Sequence, residues 1–531
     1  MLTLLPTFRL LLLALGLPAS ARPVAAQSAR PVIGPDSVVQ VAAGAQYNRG
    51  WLHQLFWGFH YRKEWATPVE APVFNMRTAV PGGLIPVKEG GSFQTQNLRL
   101  LARDGRQYVL RSVDKDATAA LPENLRDGLI GRLMKDQTSV IHPYGAYIVP
   151  RLARAAGVYH TNPRLVYVAD DPGLGGFQQA FRHALYLFEE RPEGNLSTEA
   201  SFGKSDQVVS SRHAFGQLLA SPEYRVDARQ YLRSRLFDMW LGDWSRREDQ
   251  WRWAAFRQPD SSTVYRPIPR DRDHAFFKFD DGVLTHVVSF VKTNYQTFTR
   301  TIHLHDVEGL NRAARPMDKS LLVYLTEQDF REVADSLRRA LPDPVIAEAL
   351  QVWPRQIYAL SGEEFADKLR SRREQLPVVA EEFYRQLARH VDIPGTDQPE
   401  RFVVEAAGPW KAWVRVYTRS AAGRGNLIGQ RLYDARQTAD IRLYGLGGND
   451  EFEVIGQPDH RLRIYLYDGQ GQDIIRHTNP GPAGQRMRVT LLDSGDGNVI
   501  QVDKRLMQVE AYQPKANEYD GAGWLLRHRL Y

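Results

Sequence analysis

Residues Leu241–Trp253 read LGDWSRREDQWRW. Trp244, Trp251 and Trp253 stand among Asp243, Ser245, Arg246, Arg247, Glu248, Asp249 and Gln250, a mixture that suits neither ordinary surface nor ordinary core. The stretch continues ARQYLRSRLFDMWLGDW, whose Leu232, Leu236, Met239 and Trp240 recur at helical spacing on one face. A polar loop at a helix end is where a fold presents reactive groups. Downstream, PIPRDRDHAFF sets Asp271 and Asp273 on a turn before an apolar strand. Carboxylates so placed suit a divalent ion on a triphosphate, although each acid read alone fits a surface ion pair equally well.

Upstream of the loop, residues 81–116 alternate apolar and polar around RDGR, the pattern of a β-hairpin with a glycine-rich entry. In EGGSFQTQ, the backbone of Gly90, Gly91 and Thr95 is placed to approach phosphate oxygens, though a plain Gly-Gly turn accounts for the same letters. The following strand, YVLRSVDKD, offers Arg111 and Lys115 to a phosphate, or simply a solvated strand end. A helix is expected within 121–143, with Leu125, Leu129, Leu133 and Val140 apolar and Asp136 able to pair with the basic residue of the strand. A second helix over 149–160, a strand over 163–170 and a crossing segment over 180–193 follow. From about 210 to 395 the pattern is mainly helical, with amphipathic helices expected within 318–352 and 376–391.

DIPGTDQPE (392–400) reads as a linker, after which the chain alternates apolar and polar between Gly/Asp turns, an all-β pattern. GLGGNDEFEV, DGQGQDII and DSGDGNVI are similar to the calcium-binding turns of β-rolls. Three irregular, widely spaced copies favour ordinary β-turns, with Asp450 and Asp473 the residues to watch for calcium.

Bulk properties narrow the function classes. A chain of 531 residues with 43% hydrophobic and 11% aromatic content is expected to form two to four domains. It has no cysteine, so neither disulfides nor thiolate chemistry contribute. The net charge of +7 is interspersed, with no basic block of the kind that marks a nucleic-acid arm. Arg9, the apolar run Leu10–Leu17 and the small residues to Ala26 read as a secretory signal peptide cleaved after Ala21 or Ala26, and no later segment reads as a membrane-spanning helix.

Glycine turn, basic strand, acidic helix, strands, helix, polar loop and acidic turn is the order of parts in a protein kinase. The segments YVLRSVDKD, HPYGAYIVPRLARAAGVYHTNPRLVYVADDP, LGDWSRREDQWRW and PIPRDRDHAFF, within roughly 47–475, resemble a group of exported bacterial proteins. In that group they sit between a calcineurin-like metallophosphoesterase domain and a BamA/TamA-type outer-membrane barrel. Neither neighbour is found in this sequence, so a stand-alone middle piece or a truncated relative is expected. The middle region in turn looks like atypical kinases of the HipA and secretory-pathway type, whose loop has the form N-x-D-R-H-x-x-N.

That resemblance puts Asp243 at the first Asn, Ser245 at the catalytic Asp, Arg246 at the Arg, Arg247 at the His and Gln250 at the metal-binding Asn. It makes residues 90–96 the glycine-rich loop, Arg111 or Lys115 the nucleotide-binding base, Asp136 the acid of the paired helix, and Asp273, with Asp271 beside it, the metal carboxylate. Relatives in the exported group read GDWDRH where this chain reads GDWSRR. Serine carries no charge at neutral pH and neither orients nor deprotonates a substrate hydroxyl well.

The expected architecture is α+β: a two-lobed protein-kinase-like region followed by a C-terminal all-β domain. Its parts are a signal peptide (1–26), an N-terminal extension (27–80), an N-lobe (81–195), a helical C-lobe (196–395), a β domain (400–512) and a tail (513–531). The expected function is a pseudokinase of the cell envelope, periplasmic or outer-membrane associated, that binds ATP with Mg²⁺ or Mn²⁺ or another phosphorylated ligand. The alternatives are a non-catalytic structural partner of an outer-membrane protein, which the absence of ATP from a periplasm favours, and an active atypical kinase using Asp243 as its base.

Overall fold

Strands β4 (Asn97–Ala102) and β5 (Gln107–Ser112) pair antiparallel across the expected RDGR turn, with Leu98 opposite Leu110 and Leu100 opposite Tyr108. All four side chains are buried, as period-two alternation requires of a sheet with one face on the core. Gly105 closes the turn with φ +84°, a backbone state that disfavours any side chain. In this computed structural model the described residues are 37–512, except 91–94, 117, 119–120, 292–294, 421–422, 480–487, 496 and 504–505. The expected signal peptide, Gly91 and the tail fall outside them.

With β1 (Val38–Ala42), β2 (Pro68–Phe74), β3 (Leu84–Gly90), β6 (Arg164–Val168) and β7 (Ala184–Glu190), these strands form one seven-stranded sheet of order β1-β2-β6-β7-β5-β4-β3. The expected crossing segment is therefore the central strand β7. Its ALYLFEE is buried from Leu185 to Glu189, because a strand covered on both faces reads as a continuous apolar run. The expected helix within 121–143 is shorter pieces, Glu123–Arg126 and Leu129–Asp136, and the next helix spans Gly145–Ala155.

The helix Ala228–Leu241 is buried nearly all round from Tyr231 onward, and not on one face alone. Gly242, at φ +71°, ends it. Four strands, β8 (Gln207–Ser210), β9 (Tyr224–Val226), β10 (Trp251–Arg257) and β11 (Thr263–Pro269), form a sheet of order β8-β10-β11-β9. Trp251 and Trp253 lie on β10, fully buried, so the end of the opening stretch is a central strand and not a loop. Helices Glu327–Ala340, Asp343–Leu350, Arg355–Glu374 and Leu376–Ala388 complete this core; Phe330, Leu337, Phe365, Val379 and Phe383 are among their buried residues.

The C-terminal region is all-β and begins before the expected boundary. Strand β12 (His390–Pro394) pairs parallel with β16 (Asp440–Tyr444). Ile393 and Glu400 are fully buried, so 392–400 is part of the domain and not a linker. Strand β13 (Glu400–Ala406) carries a hairpin of β14 (Lys411–Ser420) and β15 (Gly423–Asp434) on one side. The chain then alternates between two sheets through β16, β17 (Glu451–Ile455), β18 (Arg463–Tyr467), β19 (Ile474–Thr478), β20 (Val489–Asp493), β21 (Val499–Gln501) and β22 (Met507–Ala511). The result is two facing sheets, β12-β16-β18-β20-β22 and β15-β14-β13-β17-β19-β21, paired parallel except at the hairpin. The Gly/Asp turns stack one above another at the bend between them. The fold is thus α+β with an all-β C-terminal part.

Candidate functional site

Of the charges in the opening stretch, Asp243 and Arg246 point inward, whereas Arg247 and Asp249 are exposed. Asp238, on the last turn of the Ala228–Leu241 helix, is fully buried and faces Arg272 at 3.2 Å, Arg246 at 3.5 Å and Arg235 at 3.7 Å. Arg235 also grips Asp318 at 2.9 Å, which accepts a further hydrogen bond from the Tyr231 hydroxyl at 2.8 Å. Arg246 pairs with Asp243 and donates to the backbone carbonyls of Arg270 (2.6 Å) and Asp271 (3.1 Å). The network ties the helix, the 243–250 loop and the 270–273 turn into one unit. Buried guanidiniums need such carboxylate partners, although Arg235 Nη1, Arg246 Nε and Arg272 Nη2 have no hydrogen-bond partner here.

The three expected catalytic residues are therefore interior. Asp243 is fully buried against Arg246, and burial pushes its carboxyl up, to about 6, against the pull of that arginine. Ser245 is buried too; its N–H donates to Asp243 Oδ1 at 3.1 Å and its hydroxyl accepts from the Gln250 amide at 3.5 Å.

The acidic turn, expected to hold a metal, instead pairs with the basic strand. Asp273 accepts from Lys115 Nζ at 2.7 Å and lies 3.4 Å from Arg111. Arg111 also contacts Asp271 and stands 3.4 Å from Glu189 on β7. Burial raises the Asp273 carboxyl, but Lys115 and Arg111 outweigh it and hold the group well below the usual carboxylate range. Asp136 does not join them. It is bound by Arg62 at 3.0 and 2.7 Å, Arg49 at 3.1 Å and His53 at 2.8 Å. Its helix packs beside the 49–62 segment, and Glu189 is the acid that Arg111 finds on its own sheet.

Between the large sheet and the four-stranded sheet opens a cleft of about 500 Å³. Gly90, Gln250 and Asp271 line it, together with six arginines, Arg99, Arg111, Arg191, Arg212, Arg252 and Arg270, against the further acids Glu248 and Asp249. Thr95 is half-buried and is not among the cleft's lining residues. The Nε atoms of Arg111, Arg191, Arg252 and Arg270 are buried without a hydrogen-bond partner. Burial, then Arg252 and Arg111, pushes the Arg270 guanidinium down to about 9, and burial with Arg191 lowers Arg252. Arg111 is answered by Asp271, Asp273 and Glu189 and Arg191 by Glu193 at 2.7 Å, whereas Arg252 and Arg270 form no ion pair among the described residues. Five of the six, Arg99, Arg191, Arg212, Arg252 and Arg270, carried no signal in the kinase-like reading of the sequence. Alternation in WRW was the clue for one: with Trp251 and Trp253 in the core, Arg252 faces the other way.

The expected metal ligands do not fit a divalent ion. Asp271 is held by Arg111, and Asp273 by Lys115 and Arg111. Gln250 Oε1 accepts the Arg247 N–H at 3.2 Å, closing its own turn. Among the described residues no group of three His, Asp or Glu side chains is disposed to hold a metal. Asp450 and Asp473 instead accept backbone N–H groups of neighbouring coils, from Glu400 at 2.8 Å and from Asp450 at 2.7 Å.

No family model matches the chain. No curated protein matches it either. Among solved structures it is similar to that of a Helicobacter pylori proinflammatory kinase, CtkA, with 9% identity over 54% of this chain and 93% of that chain and a TM-score of 0.25.

Proposed function

We propose that the chain is a kinase-like module of the cell envelope whose cleft binds a phosphate-bearing ligand such as a nucleotide, and that it has lost efficient phosphoryl transfer. One observation carries the reading: partly unpaired arginines converge on the cleft where Arg111 and Lys115 meet the Asp271–Asp273 turn. Guanidinium forks match phosphate oxygens in geometry and charge. Export rests on the signal-like N-terminus. Loss of transfer is supported by Ser245 at the loop position and by Asp243, which is locked to Arg246 and not placed to meet a substrate hydroxyl. That same pairing argues against an active kinase using Asp243.

Thermal melting of the full chain with ATP, ADP or inorganic phosphates tests the ligand reading. A ligand at 100 times its Kd is expected to add about 2.7 kcal/mol of apparent stability. No shift with any of them at millimolar concentration would sink it.

The chemistry is tested separately with Ser245→Asp combined with Arg247→His. Transfer of label from γ-labelled ATP is expected to stay absent, because residue 245 is buried beside Asp243 and both turn carboxylates already carry basic partners. Recovered transfer would mean that only the loop chemistry had decayed.

A second reading, a non-catalytic interaction protein, is favoured by an apolar face. The helix Trp51–Trp57 buries none of its residues, and it packs on the helix Val283–Val291. Trp51 (69%), Leu52 (54%), Val283 (51%) and Val287 (61%) are exposed there. This reading expects no response to phosphates.

A further inference from the structure

The cleft that the proposed function assigns to a phosphate ligand is built with its cations already in the protein. The carboxylates that would hold magnesium are taken by Arg111 and Lys115, and the amide oxygen of Gln250 closes its own turn. Six arginines face three carboxylates across the same walls. Four guanidiniums, those of Arg111, Arg191, Arg252 and Arg270, each keep a buried Nε–H without a partner. They come from different strands or strand ends: β5, the residue after β7, β10 and the residue after β11.

We infer that this cleft binds the di- or triphosphate group of its ligand as the free anion, without a divalent metal ion, and that Arg252 and Arg270 supply the positive charge that magnesium supplies in metal-dependent sites. The inference rests on the proposed phosphate-binding function and deepens it.

Three lines converge on the class of ligand. An unpartnered buried N–H is an unmet demand for an acceptor, and phosphate oxygens supply several acceptors on one small group. Arg252 and Arg270 form no ion pair among the described residues, whereas Arg111 is answered by Asp271, Asp273 and Glu189 and Arg191 by Glu193, and the four open Nε–H donors stand on four separate side chains, which two or three linked phosphates meet better than one. Guanidinium remains charged at any physiological pH, so the pull on the ligand does not depend on a titrating group. A magnesium–nucleotide complex, by contrast, brings a cation towards a wall of arginines with no free carboxylate pair to receive it. Magnesium in solution is therefore expected to compete with the protein for the phosphate chain.

The test is calorimetry of the full chain with tripolyphosphate, pyrophosphate, orthophosphate and ATP, each in EDTA and in excess Mg²⁺. Tripolyphosphate and ATP are expected to bind in EDTA, more tightly than orthophosphate, and to weaken when Mg²⁺ is added. Arg252→Gln and Arg270→Gln are each expected to weaken binding about tenfold or more. Arg212→Gln guards against a folding artefact, because Arg212 lies exposed on the rim; it is expected to weaken binding by a few-fold with an unchanged melt.

Binding that appears only with Mg²⁺ would overturn the metal-free inference and leave the phosphate-binding function standing. Binding in EDTA that none of the three arginine variants weakens would overturn the assignment to this cleft. Absence of binding under both conditions would overturn the function itself, and the inference with it.

Discussion

Replacing Asp238 with alanine is expected to remove about 3–5 kcal/mol of stability, the range for breaking a buried ion pair from one side. Asp238 is the common carboxylate of Arg235, Arg246 and Arg272, all of them buried. Without it, three guanidiniums remain in the interior; Arg235 keeps Asp318 and Arg246 keeps Asp243, but Arg272 loses the carboxylate it is paired with. The damage spreads because Arg246 also holds the carbonyls of Arg270 and Asp271, so the turn presenting Asp271 and Asp273 loses its anchor. Urea denaturation reads the loss as a lower midpoint, and the phosphate response of the cleft is expected to fall with it. Asp238→Asn keeps an acceptor but not the charge and is expected to lie between wild type and alanine. A change under about 1 kcal/mol for Asp238→Ala would mean that the network does not support the loop.

This network is the answer to the sequence around Leu241–Trp253. Asp243 and Arg246 are interior and mutually paired, while Glu248, Asp249 and Arg252 line the cleft. Two parts of that stretch were readable in advance. The alternation of Trp251, Arg252 and Trp253 is a strand signal, and Gly242 is a helix stop. The order of basic strand and acidic turn marked Arg111, Lys115 and Asp273 as parts of a site, but as ligands of phosphate and metal and not as partners of one another. What the letters hid was partner choice over long separation. Asp136 carries no mark that Arg62, 74 residues upstream, would claim it in place of the strand nearby. Glu189 was hidden because an apolar run ending in acids fits several elements, and only sheet pairing with β5 puts it opposite the basic strand. In the C-terminal region the turns were visible but their stacking was not. The rungs lie 23 and 25 residues apart, and a hairpin separates the first from the second by 50. Irregular spacing of that kind defeats a search for a fixed period.

The same stacked turns yield the second large effect, a pH dependence with a definite sign. Along the bend, Asp450 accepts the Glu400 N–H, Asp473 the Asp450 N–H and Asn498 the Asp473 N–H at 2.8 Å. Asp450 is fully buried and its Oδ2 has no hydrogen-bond partner. Burial, then the charges of Glu400 and Asp473, pushes its carboxyl up to about 9 against the hydrogen bond from the Glu400 N–H and the weaker pull of Arg419, and burial raises Glu400 and Asp468 to about 7 each. An unfolded aspartate titrates near 3.9, so these three carboxyls hold more protons in the folded chain than in the unfolded chain from about pH 4 up to their folded values. The stability they contribute is therefore fully present below about pH 4, declines as pH rises and is lost through the folded values near 7 and 9. Asp450→Asn is expected to remove the Asp450 share of this decline. Its amide oxygen still accepts the Glu400 N–H, as Asn498 does one rung on, and it never becomes an anion in the interior. The variant is expected to match wild type at pH 5 and to exceed it by about 1–3 kcal/mol at pH 9, the range for an unsatisfied buried polar group. Denaturant melts at the two pH values decide it, and the difference between variant and wild type cancels the titration of every other group. A variant destabilised equally at both would show that the ladder needs Asp450 as a carboxylate.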